Sequence, residues 1–259
     1  MPAAALGVGS RELEVDTSES PCDHHGVGKL AITWLGHSTF LLRTPGGTRV
    51  LFDPWLATNP ACPAELKKPP HVDLILASHG HADHIEDLVA CARTSGAAVV
   101  GIYELCDWLG RKGIQNILPM NKGGSQEIAG IVISMTDARH SSGFVEGGQM
   151  TYMGEPCGFV LRLEDRRTIY YAGDTALFGD MRLIGEMYRP DIAFLPIGDR
   201  FTMGPDGAAR ACALLGVKQV VPMHWGTFPL LKGTPAALKA LVQSMGVDVL
   251  ELRPGETAE

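Results

Sequence analysis

Three of the chain's nine histidines and one aspartate fall within six residues, in the stretch Ser78-His79-Gly80-His81-Ala82-Asp83-His84. The apolar run Val72-Asp73-Leu74-Ile75-Leu76-Ala77 precedes it and reads as a buried strand, so the motif lies on the loop where that strand ends. Glu86 to Ser95 follows with the composition of a helix, with Leu88, Val89 and Ala92 available for one face. Imidazole nitrogens and carboxylate oxygens are ligands of first-row metals, with zinc the usual occupant of such mixtures. In an extended turn, His79 and His81 point the same way and can hold one ion. Asp83 and His84, at the helix start, can reach a second. A fixed ligand order on a strand-to-helix loop is a geometric specification that a merely histidine-rich polar loop would not need.

The rest of the chain repeats this arrangement. Residues 1–29 are rich in glycine, serine and acidic side chains without periodicity, and read as a flexible arm that includes Cys22, His24 and His25. From Leu30 the chain reads as one domain, 30–259, with no internal linker. Leu30 to Leu42 is a strand broken at Gly36-His37-Ser38, and Thr48 to Phe52 is a second strand ending in Asp53. Residues 56–71 are proline-bearing and read as an ordered loop. Ile128 to Met135 reads as one strand that delivers Asp137 and His140. The glycine-rich segment Ser141 to Pro156 reads as an active-site loop, with Met150, Tyr152 and Met153 as its apolar cover. Thr168 to Ala172 runs into Gly173-Asp174-Thr175, and Gln219 to Pro222 runs into Met223-His224. Candidate ligands thus recur at the C-terminal ends of successive strands.

His79-x-His81-x-Asp83-His84, the later His140, Gly173-Asp174-Thr175 and the C-terminal His224 resemble the ligand motifs of the metallo-β-lactamase superfamily, in the right order. The resemblance implies an α/β fold, a four-layer αββα sandwich with a dinuclear site on its rim. It implies that His79, His81 and His140 hold one ion, that Asp83, His84 and His224 hold another, and that Asp174 bridges them. Leu35-Gly36-His37-Ser38-Thr39-Phe40, Ala172 to Met181, Leu195 to Asp199, Phe201 to Pro205 and His224 to Pro229 resemble the bacterial and archaeal "metal-dependent hydrolase" branch, related to ascorbate-6-phosphate lactonases. The implied cofactor is a pair of divalent cations, zinc first, with manganese or iron also suited to nitrogen and oxygen ligands. Trp225 and Cys157 depart from the branch's pattern and stand as candidate alterations of the pocket wall.

Other residues carry separate expectations. His37 and Asp53 suit a supporting role, orienting a ligand imidazole, and His37 also suits a substrate contact or proton donor. Asp83 is a candidate catalytic group besides binding metal. Asp199 and Arg200 read either as ligand-holding or substrate-facing residues or as a surface ion pair, Phe201 and Met203 as pocket wall or core, and His71 as a loop residue. A metal-activated hydroxide attacking a small ester, lactone or phosphodiester is the reaction these groups suit. The alternatives are a β-lactam hydrolase, a di-iron oxidoreductase, or a metal-binding protein without catalysis.

Bulk properties narrow the partners. The chain has 259 residues, 45% of them hydrophobic, enough for a large core. A net charge of −7 argues against a nucleic-acid surface and leaves a small molecule as the expected partner, with a homo-oligomer left open. Six cysteines without a C-x-x-C pair read as reduced thiols of a cytoplasmic protein. No apolar run approaches a membrane span, and no signal peptide is expected.

Overall fold

The computed structural model describes residues 28–68 and 70–259, so the expectations for Cys22, His24 and His25 lie outside the described residues. The first half of the chain begins with a hairpin, β1 (Ala31–Gly36) and β2 (Thr39–Arg43), followed by β3 (Arg49–Phe52) and β4 (Leu74–Leu76). Helices α1 (Ala82–Ile85) and α2 (Leu88–Ser95) lead to β5 (Ala98–Ile102), α3 (Tyr103–Arg111) and β6 (Ile117–Met120). The second half holds β7 (Ser125–Ile128), β8 (Ile131–Asp137), β9 (Gly143–Glu146), β10 (Gln149–Tyr152), β11 (Cys157–Arg162) and β12 (Thr168–Tyr171). Helix α4 (Met181–Tyr188), β13 (Ile192–Pro196), α5 (Pro205–Leu215), β14 (Gln219–Met223), α6 (Pro235–Val242), β15 (Asp248–Val249) and β16 (Thr257–Ala258) complete it.

Two seven-stranded sheets result, in the orders β16-β1-β2-β3-β4-β5-β6 and β15-β14-β13-β12-β11-β8-β7. Each has an antiparallel part and a parallel part, with β3 to β6 parallel in one and β12 to β15 in the other. Parallel strands need cover on both faces, which is why β4 and β13 are unbroken apolar runs. The inner faces meet through aromatic side chains: Phe52 stacks on Tyr171 at 4.5 Å between ring centroids, and Phe40 meets Phe194 edge-on at 4.9 Å. Helix α3 covers the outer face beside β5 and β6, while α5 and α6 cover the outer face of the other sheet beside β13 and β15. This is the expected four-layer αββα sandwich. Helix ends follow local chemistry: Pro205 opens α5 and Gly216, at φ 69°, closes it in the left-handed region.

Two segments differ from their sequence reading. The strand expected over Ile128 to Met135 is two strands, because Ala129 and Gly130 take φ 51° and 78° and turn the chain between paired Ile128 and Ile131. Alanine seldom adopts that region, so the turn leaves little trace in the sequence. The segment Ser141 to Pro156 holds the hairpin β9–β10, turned by Gly147-Gly148, both at positive φ, between paired Glu146 and Gln149. It is a two-stranded unit apart from both large sheets.

Candidate metal centre

The C-terminal ends of the parallel strands deliver the polar side chains: Asp53 after β3, His79 after β4, Asp174 after β12 and His224 after β14. Open α/β sheets place ligands at this edge. His37 comes from the two-residue turn between β1 and β2. His37, Asp53 and His224 all sit in the left-handed region, at φ 57°, 42° and 55°. Such backbone costs about 1 kcal/mol or more per residue, so the surrounding contacts must hold it. The carbonyl of His37 accepts from the Trp34 indole (2.9 Å) and from the His224 amide (3.1 Å), which locks the two loops together. Close approach also requires glycine: a Cβ on Gly198 would stand 2.1 Å from the His224 carbonyl oxygen, and one on Gly80 would stand 2.2 Å from Met153 Cβ.

The side chains converge in two groups. In the first, His79 Nε2 lies 3.0 Å from His81 Nδ1, and His140 Nε2 lies 3.3 Å from the same atom. The other His79 nitrogen is engaged by Ser78 Oγ at 3.0 Å. Nitrogen ligands about 2.0–2.1 Å from a tetrahedral ion stand about 3.3 Å apart, so this triad fits a metal well. The second group comprises His37, Asp83, His84 and His224. Asp174 lies between them. Its Oδ2 is 3.0 Å from His224 Nε2, 3.4 Å from His84 Nε2 and 3.6 Å from His140 Nε2, while its buried Oδ1 has no partner. A buried carboxylate oxygen without a donor is costly unless a cation meets it.

Asp53 fixes this arrangement from behind. It is fully buried, and its Oδ1 accepts from the Ser78 amide at 2.7 Å. Its Oδ2 accepts from Ser78 Oγ (2.6 Å) and the Tyr171 hydroxyl (2.7 Å) and faces His84 Nδ1 at 2.8 Å. A carboxylate so fully occupied is no free ligand. It orients the His84 ring and turns Nε2 toward Asp174, the supporting role expected of it.

His37 departs from part of its expectation. It is fully buried, with Nδ1 on Thr227 Oγ1 (2.9 Å) and Nε2 on Asp83 Oδ2 (3.2 Å), and it does not line the cavity. A substrate contact is therefore out of reach. Cys157 is buried against the Ser78 carbonyl, and Trp225 stacks on Trp34 at 5.2 Å; neither forms the pocket wall. Asp199 and Arg200 are exposed, make no ion pair among the described residues and stay out of the lining. Met153 is buried under Gly80, so it is core and not cover.

A cavity of about 450 Å³ opens over the two groups. His81, Asp83, His140, Asp174 and His224 form its floor, with Val145, Met150, Phe201 and Phe228 on its sides. Phe228 was visible only as part of a motif, since nothing local says that it faces the cavity.

Burial sets the protonation of the metal-free site. It lowers His79, His81 and His140, and holds His37 at about 4. For His84 burial acts in the same direction, but the Asp174 and Asp53 carboxylates outweigh it and raise its pKa well above the usual value. For Asp174 burial opposes ionisation, yet His224 and His84 hold it well below the carboxylate range. Between pH 6.5 and 4 the unfolded chain binds protons that buried His37 refuses, so stability falls as pH falls, by an amount on the order of 3 kcal/mol from His37 alone. The raised His84 acts oppositely, contributing fully below pH 6.5 and losing its share as pH rises through its folded value. Thermal unfolding of the metal-free protein should therefore show Tm dropping from pH 6.5 to 4.5; a flat or rising Tm would show that the buried histidines are solvated.

The beta-lactamase superfamily domain matches residues 48–225. The chain belongs to the metallo-β-lactamase superfamily. It is 50% identical over 228 residues to a UPF0173 metal-dependent hydrolase of Koribacter versatilis, covering 88% of this chain and 97% of that protein. A UPF0173 metal-dependent hydrolase of Rubrobacter xylanophilus is 49% identical over 233 residues, covering 89% of this chain and 96% of that protein. Among solved structures, the metallo hydrolase Igni18 of Ignicoccus hospitalis superposes with a TM-score of 0.79 at 36% identity, covering 88% of this chain and 97% of that one. The chain is a metal-dependent hydrolase of the metallo-β-lactamase fold, and no helix among its described residues is long and apolar enough to cross a membrane.

Proposed function

We infer that the protein holds two divalent ions, zinc first, and hydrolyses a small ester, lactone or phosphodiester. The observation that carries this reading is Asp174 Oδ2, within 3.0–3.6 Å of imidazoles from both donor groups. His79, His81 and His140 would hold one ion, Asp83, His84 and His224 the other, with Asp174 shared. When bound, such ions supply Lewis acidity at the scissile oxygen and an acidified water. The chain's own residues do the rest. Asp83 lines the cavity; burial pushes its carboxyl up, but the His37 hydrogen bond and the His84 ring outweigh it and hold it below the usual range, so it is anionic and suited to orient an attacking water by accepting its hydrogen bond. His37 holds the Asp83 oxygen from the buried side, so it is a positioning residue. Asp53 keeps His84 Nε2 aimed. Five cysteines, all buried and unpaired among the described residues, support a reducing, cytoplasmic site of action.

The test is chelation. Hydrolysis by the purified protein should vanish in a strong chelator and return with zinc or manganese. Turnover that persists after complete metal removal would overturn the reading.

A further inference from the structure

The hairpin β9–β10 builds one wall of the cavity, and its alternation assigns each face a task. Phe144 meets the Trp108 ring of α3 edge-on at 5.7 Å, and Glu146 pairs with Lys112 just beyond that helix. Two residues apart on one strand, they fix that face of the hairpin to α3. The opposite face carries the cross-strand pair Val145 and Met150, and both line the cavity although they are 57% and 70% exposed. Phe201, 51% exposed, lines it too. Water-exposed apolar side chains gathered around a polar floor are an incomplete surface.

The lining, as described, contains no lysine or arginine. Of the cations nearest in sequence, Arg139 lies 3.0 Å from Asp137, and Arg200 lies over the Phe201 ring at 5.6 Å, at the outer edge of that wall and outside the lining. Ser141 is the one hydroxyl in the wall. A charged group on the part of a substrate that is not cleaved would find no charged partner against Val145 and Met150, and would give up hydration in proportion to its contact with them. An alkyl or aryl body would cover Val145, Met150 and Phe201 and gain at each methylene.

We propose that the substrate is a carboxylic ester or lactone whose body is apolar and uncharged. This rests on the hydrolase reading above and narrows it. In the reaction, the oxygen of water bonds to the acyl carbon and the bond from that carbon to the alkoxy or aryloxy oxygen breaks. One proton of water ends on the released alcohol and the other on the carboxylic acid. The hairpin wall selects the acyl or alkyl part, and a phosphate-bearing sugar lactone is a poor fit.

Matched esters test this with the metal-loaded protein: p-nitrophenyl hexanoate against mono-p-nitrophenyl adipate, alike in chain length but differing by a terminal carboxylate. The hexanoate should have the higher kcat/KM by about a hundredfold, and the value should rise from acetate to hexanoate by up to about fourfold per methylene. Met150→Lys, at an exposed position, should narrow the hexanoate-to-adipate ratio by about tenfold or more with metal content unchanged. A ratio near one, or a ratio indifferent to Met150→Lys, overturns the proposal. Turnover of bis(p-nitrophenyl) phosphate with none of any ester also overturns it, while leaving the broader hydrolase reading intact. No turnover of any of these by protein loaded with metal counts against both.

Discussion

Asp174→Ala should abolish hydrolysis, by about a thousandfold or more, while the far-ultraviolet circular dichroism spectrum stays that of the wild type. The carboxylate stands among His140, His84 and His224, and unlike Asp53, whose oxygens are taken by Ser78, Tyr171 and His84, it keeps one oxygen free of any donor. Without it, cations in the two adjacent donor groups would repel with no shared carboxylate to screen them, so the variant should retain at most one ion. The fold should survive for a separate reason. Loss of Asp174 removes one of the two carboxylates that raise His84, while Asp53 stays 2.8 Å from Nδ1, so no uncompensated cation is left inside. Wild-type turnover in the variant would show that Asp174 is an ordinary turn residue.

The second large effect is expected at Asp53, in stability as well as metal binding. Asp53→Ala strands the Ser78 amide and hydroxyl, the Tyr171 hydroxyl and His84 Nδ1 in a place closed to water. Breaking a buried, fully hydrogen-bonded charge in this way costs about 3–5 kcal/mol, which corresponds to a Tm lower by about 10 °C or more in a chain of this size. His84 would also be free to rotate, so metal content should fall. Differential scanning calorimetry and elemental analysis on one preparation read both effects. A Tm within two or three degrees of wild type, with metal retained, would mean that Asp53 neither supports the site nor orients His84.

These two residues also mark what could be read from the chain alone. Most of the converging side chains were legible because His79 to His84 is contiguous and because His140, Asp174 and His224 each follow a recognisable strand. Asp53 was legible only as a carboxylate at a strand end, since its contact with Tyr171 spans 118 residues and depends on how the sheets face each other. His37 was misjudged in part for the same reason: burial by Trp55, His224 and Phe228 is a tertiary fact. The hairpin at Gly143 to Tyr152 was hidden by its composition. Its glycines suggested an open loop, whereas Gly147-Gly148 supply a tight turn and the strands between alternate in the manner of a wall. The split at Ala129-Gly130 left no turn signal because alanine occupies a conformation that it rarely takes.

The central claim is a two-ion site built by His79, His81, His140, Asp83, His84, His224 and the shared Asp174. Elemental analysis of the wild-type protein after reconstitution, read together with anomalous scattering from its crystals, addresses that claim most directly. The account predicts about two ions per chain, with one anomalous peak among His79, His81 and His140 and another among Asp83, His84 and His224. A single ion per chain, or a second peak elsewhere in the molecule, would contradict it.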